Sequence, residues 1–295
     1  MRRSPLSAAQ GQSSAAAPEA RDHGTQAQNS EPTSPPAPEF RVCLLPSWRL
    51  MRDQVEVEVP GTARRLIALI TLVGSRNRSY LAGTLWPERS DAQAQANLRS
   101  ALSRLLARNL GVVRVSRDVL ALAPHVTVDV HDVVRCAEDM LYGEPNKPPT
   151  PEQILRLLHA DDLLTGWYDE WVVTARERLR QLRLHALEAV SARLADAGRH
   201  VEALDTALVC ADIAPLRESA HRAVIRVHLL ERNYTEAVRQ FHRYRELLKA
   251  ELGIEPSPEI RRLLRTVDYD RSVVPAVNRT GSSSKPRKGD AAGNR

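Results

Sequence analysis

Between Ser79 and Leu122 the spacing of apolar and polar positions changes from a helical period to a strand period. Ser79 to Trp86 reads as a short helix. Pro87 ends it, because proline disfavours helical geometry in the residue before it and donates no helix hydrogen bond. After a polar loop, Glu88 to Asp91, a run without Pro or Gly from Ala92 to Leu110 predicts a longer helix. Leu98, Ala101, Leu102 and Leu105 form its apolar stripe, and Asn97, Ser100, Arg104 and Arg108 are expected on the opposite face. Gly111 is expected to close that helix. Val112, Val113 and Val115, followed by Val119, Leu120 and Leu122, predict a hairpin with Ser116-Arg117-Asp118 at its tip. Upstream, Leu66 to Val73 is the longest apolar run. It is too short to span a bilayer and reads as a core helix.

From Asp161 onward the helical period dominates. A long helix is expected from Trp171 to Ala197, stopped by Gly198, with Leu179, Leu182, Leu187, Val190 and Leu194 on its apolar side. Further helices are expected at Val201 to Ile213, Arg217 to Arg232, Thr235 to Leu252 and Pro258 to Val267, with Pro215 and Pro256 in the turns. The segment Gly198 to Leu204 is echoed by Arg232 to Val238, with Glu202-Ala203 matching Glu236-Ala237 at an offset of 34 residues. That offset is the tetratricopeptide period, in which small residues such as Ala occupy the places where paired helices approach closely. Trp167, Tyr168 and Trp171 are expected to pack as an aromatic cluster at the start of this region.

These patterns predict a mainly α protein with a small β component, a winged helix-turn-helix followed by an all-α, tetratricopeptide-like repeat domain. The expected boundaries are a disordered tail over 1–39, the winged helix over 40–135, a linker over 136–150, the helical domain over 151–269 and a basic tail over 270–295. Both tails are rich in small and polar residues that bury too little surface to offset the entropy of ordering.

Charge sharpens the reading of the first domain. Arg41 to Arg135 holds 14 basic residues, all Arg, against 8 acidic ones, whereas residues 136–267 hold 19 basic and 21 acidic. Guanidinium groups displace counterions from phosphate and bind guanine in a fork. In a winged helix the second helix enters the major groove and its polar side chains reach base edges. Arg104 and Asn97 are therefore candidates to read bases, and Ser100 and Arg99 to touch bases or phosphate. Arg108 lies on the same helix. Arg76, Arg78, Arg114 and Arg117 are candidates to hold the backbone. A charged face can also be merely solvated, so the alternative is a protein-interaction adaptor whose basic domain meets an acidic partner.

Little in the chain points to catalysis. It has no Gly-x-x-x-x-Gly-Lys-Ser/Thr loop, no Gly-x-Ser-x-Gly elbow and no His-Glu-x-x-His helix. Asp161-Asp162 and Asp169-Glu170 are paired carboxylates, which helix N-termini attract for electrostatic reasons alone. His221 and His228 share a helix face without Cys or carboxylate at metal-ligand spacing, so a structural role is expected. Cys43, Cys136 and Cys210 are odd in number and far apart, which argues for reduced thiols over a disulfide framework or zinc site. No apolar run follows Met1-Arg2-Arg3, as a secretory signal would require. No enzyme activity, cofactor, metal or membrane anchor is expected, and the expected location is cytoplasmic, on the nucleoid.

The order of motifs resembles the small members of the Streptomyces antibiotic regulatory protein family. The resemblance runs from about Phe40 to Val267. It is carried by Leu85-Trp86-Pro87, Ala96-Asn97-Leu98-Arg99-Ser100-Ala101-Leu102-Ser103-Arg104-Leu105 and Val128-Asp129-Val130. In the second half it is carried by the segment Leu163 to Trp171, by Glu177-Arg178-Leu179-Arg180, Pro215-Leu216-Arg217-Glu218 and Leu252-Gly253-Ile254-Glu255-Pro256. The resemblance implies a winged helix like that of response regulators, joined to a bacterial transcriptional activation domain. It also implies an activator of a secondary-metabolite gene cluster that binds direct repeats as side-by-side protomers and contacts RNA polymerase. The chain departs from the family at Leu45-Pro46, where Leu-Gly is usual, at Val119-Leu120, where the wing usually has an aromatic residue, and at Leu106, where Arg is common.

Overall fold

The computed structural model describes residues 39–144 and 147–265, so the two tail expectations and the end of the last helix lie outside the described residues. From Glu39 onward these residues belong to one compact unit.

The unit opens with a sheet that the sequence reading did not anticipate. Strands β1 (Phe40–Cys43), β2 (Arg49–Arg52) and β3 (Val55–Glu56) form a meander. β7 (Val126–Val128) joins it in parallel beside β1, giving the order β3-β2-β1-β7. Helix α1 (Gly61–Val73) follows, with Leu66, Ile67, Ala68, Leu69 and Ile70 all buried, so the apolar run at 66–73 is indeed a core helix. Next come β4 (Arg76–Asn77), α2 (Arg78–Leu85), α3 (Asp91–Ala107) and the hairpin β5 (Val113–Ser116) and β6 (Val119–Leu122). β4 pairs with β6 to complete a second sheet, β4-β6-β5.

β7 runs directly into α4 (Asp129–Tyr142), and the carboxylate of Asp129 ties the C-terminal ends of the neighbouring strands β1 and β7 together. It accepts the backbone N–H groups of Leu44 (2.9 and 3.0 Å), Leu45 (3.0 Å) and Val130 (2.7 Å). The first part of the expected linker over 136–150 is the second half of α4. Val130, Val133, Cys136, Ala137 and Met140 form one buried stripe that carries the helix across the supposed boundary.

Helices α5 (Pro151–Leu158), α6 (Glu170–Asp196), α7 (His200–Ile213), α8 (Glu218–Leu230), α9 (Tyr234–Leu252) and α10 (Pro258–Arg265) complete the chain. α6 to α9 pack in sequence, each on the next. The echoed Ala203 and Ala237 are fully buried, and Glu202 and Glu236 each pair with an arginine three residues away, Arg199 and Arg239. The echo thus repeats the buried alanine but not the ion pair, since Arg199 precedes Glu202 by three residues whereas Arg239 follows Glu236 by three. Of the expected aromatic cluster, Trp167 and Trp171 meet edge to face at 6.3 Å, but Tyr168 is 86% exposed and takes no part.

The two halves share a core, since Leu163, Leu164 and Val172 pack with the apolar side chains of the first domain. Polar ties reinforce it. The N–H groups of Leu164 and Thr165 donate to the carbonyls of Leu44 (2.9 Å) and Pro46 (2.7 Å), and Arg65 of α1 pairs with Asp169. Arg176 clamps the intervening turn by donating to the carbonyls of Leu163, Leu164 and Trp167.

His221 has the expected structural role. It is buried, stacks on Tyr244 at 4.3 Å, and lies 2.7 Å from the Pro215 carbonyl and 2.9 Å from the Gln240 amide nitrogen. The tautomer protonated on Nε2 satisfies both contacts. A second ring proton would face an amide donor, and burial pushes the imidazole below its ordinary value. The folded state therefore holds fewer protons than the unfolded one as pH falls through the ordinary histidine range. The contribution is complete above that range and is lost below it. Urea unfolding at pH 7 and pH 5 should show this loss. His221→Leu should be about 1 to 2 kcal/mol less stable at pH 7, with a flatter pH dependence.

Candidate nucleic-acid interface

α2 begins at an Asn77 cap, whose side chain accepts the Tyr80 N–H at 2.8 Å, and ends at Leu85, just before Pro87. α3 opens with Asp91 in its first turn, where a carboxylate complements the helix dipole. Ala94, Leu98, Ala101, Leu102 and Leu105 form its buried stripe, so the expected apolar face is the face that packs. The end of α3 differs from expectation. The helix stops at Ala107 and Asn109 takes the left-handed conformation (φ 48°), while Gly111 (φ 63°) shapes the loop into β5. Asn tolerates that conformation through its short polar side chain, so the glycine was not needed as the stop.

Beyond Gln93 the exposed crest of α3 is built from small residues. Gln93, Ala96, Ser100, Ser103 and Ala107 recur at three- and four-residue spacing and all face solvent, with Arg99 and Arg104 also exposed. Gln93 and Ser103 were not singled out from the sequence, although their spacing from Ser100 and Ala96 carries the signal. Asn97 is half-buried on the flank. Arg104 leans towards the start of α1, with its guanidinium 3.4 Å from the Thr62 hydroxyl. Arg108 follows the helix and donates to the Glu58 carbonyl at 2.7 Å, which ties the end of α3 to the loop before α1. Leu106 is 65% exposed and lines a small cleft with Val113 and Val115, which sets the C-terminal half of α3 beside the hairpin.

The second sheet gathers the other arginines. Pairing of β4 with β6 sets Arg76 opposite Leu120, and the Arg78 N–H donates to the Asp118 carbonyl at 2.9 Å, next to the hairpin tip. Arg117 occupies that tip in a left-handed conformation (φ 50°), a common feature of two-residue hairpin turns. Register places Arg114 opposite Ala121 and Arg76 opposite Leu120, so these two arginines leave opposite faces of the sheet. The Arg76 guanidinium lies over the Tyr80 ring, 5.7 Å from its centre.

Electrostatically the arginines of this surface stand without acidic partners. Among the described residues, none of Arg76, Arg78, Arg99, Arg104, Arg108, Arg114 and Arg117 pairs with a carboxylate. Elsewhere pairing is mixed: Arg65, Arg180, Arg199, Arg217 and Arg239 are among those that pair with a carboxylate, whereas Arg178, Arg222, Arg243 and Arg245 do not among the described residues. Of the paired carboxylates, Asp169 is held by Arg65, while Asp161 and Asp162 are exposed.

Residues 155–267 match the family described as bacterial transcriptional activator domain. The chain carries a bacterial transcriptional activator domain. Over 85% of its length it is 27% identical to the regulatory protein AfsR of Streptomyces coelicolor, and it spans about a quarter (26%) of that protein. Its fold is similar to that of Mycobacterium tuberculosis EmbR, solved in complex with a low-affinity phosphopeptide. The TM-score is 0.65 at 20% identity, over 78% of this chain and 65% of that one. The resemblance to Streptomyces antibiotic regulatory proteins is borne out by these matches, as is the mainly α fold with its winged helix. The match to the activator domain opens within α5 and runs through α6 to α10. Among the described residues no helix is long and apolar enough to cross a membrane.

Proposed function

We propose that this chain is a sequence-specific, double-stranded-DNA-binding transcriptional activator of a secondary-metabolite gene cluster. It works in the cytoplasm on the nucleoid, without catalytic chemistry of its own. The observation that carries the reading is the set of unpaired arginines around an exposed, groove-sized helix and its hairpin, on a chain with an activator domain. Unpaired guanidinium groups are free to replace phosphate counterions without first breaking an internal ion pair. Small residues along the crest of α3 let its backbone approach base edges closely.

In this reading Arg104 and Asn97 read bases, Ser100 and Arg99 contact bases or phosphate, and Arg76, Arg78, Arg114 and Arg117 hold the backbone. Arg108 contributes from its tie to the Glu58 carbonyl. Protomers bind direct repeats side by side, and the activator domain contacts RNA polymerase and a neighbouring protomer.

Gel shifts on a footprinted promoter fragment and on random duplex test these roles. Arg104→Ala should cost about 1 to 3 kcal/mol on the specific site and relax preference at one or two base pairs. Arg117→Ala should weaken both duplexes alike and lower the salt slope by about 1. Equal losses on both duplexes for both variants would overturn the assignment. Salt-sensitive binding to an acidic protein with no duplex preference would favour the adaptor reading instead.

A further inference from the structure

A cavity of about 840 Å³ lies between the two halves of the chain; it is lined by no residue of α3 or the hairpin and meets the surface just described at Tyr80, whose ring also carries the Arg76 guanidinium. One wall is the end of α1 and the exposed side of α2, with Leu72, Val73 and Tyr80. The other is the first half of α6, with Trp171, Ala175 and Leu179. Such a volume is that of a small-molecule site, and junctions between domains are where such sites are commonly found.

Three features define what would fit. The walls are mainly apolar, so the body of the ligand is apolar. Arg178 also lines the cavity. It is exposed and has no ion pair or hydrogen bond among the described residues, whereas Arg65, further along the wall, is already held by Asp169. Glu170 lies two turns before Arg178 on α6 and disfavours a second acid group on the ligand.

We propose that this cavity is a binding site for a mainly apolar, aromatic small molecule bearing one acid group. Its charge faces Arg178. The volume and the mixed walls favour a compact molecule over a peptide strand. The two walls belong to the helices that carry α3 and to the activator domain, so an occupant bridges them. A consequence for DNA affinity follows only if the proposed DNA-binding function holds, whereas the binding site itself stands apart from it.

The probe is 1-anilinonaphthalene-8-sulfonate, an aromatic body with one sulfonate, titrated into the full chain without DNA and followed by dye emission under direct excitation. Saturable binding of one dye per chain is expected. Arg178→Ala removes the facing charge from an exposed position and should weaken the dye roughly three- to tenfold. Thr174→Trp, at the exposed mouth, and Ala175→Trp, inside, should each block the dye while the helical circular dichroism is unchanged. Thr174→Trp decides the matter should Ala175→Trp fail to fold. No saturable binding to the full chain, including the case where another segment of the chain already fills the space, overturns the proposal. So does dye binding that survives Thr174→Trp. With DNA added, a dye that binds as expected but leaves DNA affinity untouched removes the bridging consequence and leaves the site standing.

Discussion

Ser100→Glu and Ser103→Glu should each reduce DNA affinity roughly a hundredfold, on the order of 3 kcal/mol, on specific and random duplex alike. Both serines are exposed on the crest of α3, between Ala96 and Ala107, where the helix has its smallest side chains. A glutamate there sets negative charge against the phosphate backbone at the point of closest approach, and no neighbouring arginine is paired and able to shed a partner to compensate. The folded state should be indifferent to the change. Neither serine side chain makes a hydrogen bond among the described residues, and exposed substitutions of this kind alter stability by about 0.5 kcal/mol or less. Fluorescence anisotropy at fixed salt, paired with thermal melts, separates the two effects. Unchanged affinity in both variants would mean that α3 does not face the duplex. Ser103→Arg is the reciprocal test, expected to strengthen binding to any duplex and steepen its salt dependence.

How much of this surface could be read in advance depends on whether local pattern or distant pairing placed each residue. The stripe through Leu98, Ala101, Leu102 and Leu105 was legible because burial imposes the 3.6-residue period on a helix of 17 residues. The hairpin was legible because β-prone valines flank a polar tip. The same spacing assigned Arg104 and Arg108 to the outer face, yet both reach back towards the α1 side. Spacing fixes where a Cα sits, not where a long flexible side chain finds a partner. The first sheet was not legible: its strands are two to four residues long, too short for an alternation to emerge. Its parallel β1–β7 pairing joins Phe40 to Val126 across most of the first domain. Nor was the cavity, whose walls come from segments brought together only by packing. The 34-residue echo was visible because it recurs locally, and it correctly pointed to Ala203 and Ala237 as positions of close helix contact.

The same contrast governs the second large effect, expected at Asp129. From sequence, Val128-Asp129-Val130 stood out only as a motif beyond the wing. In the fold its carboxylate gathers three backbone N–H groups, two of them from Leu44 and Leu45, 85 and 84 residues away. Asp129→Ala should therefore destabilise the chain by about 3 to 5 kcal/mol, because hydrogen bonds to a charged acceptor are the stronger kind and their loss strands partly buried donors. Asp129→Asn keeps one carbonyl acceptor and should cost roughly half as much. Urea denaturation measures both. The damage should also spread in a defined direction. The loop that Asp129 holds presents the Leu44 and Pro46 carbonyls to the Leu164 and Thr165 N–H groups at the entry to the helical half. Releasing the loop should speed hydrogen exchange at those two amides well before exchange rises at Ala203 or Ala207 in the buried face of α7. If exchange rises uniformly instead, Asp129 supports global stability without linking the halves, and the Arg65–Asp169 pair with the shared core around Leu163, Leu164 and Val172 must account for their cohesion.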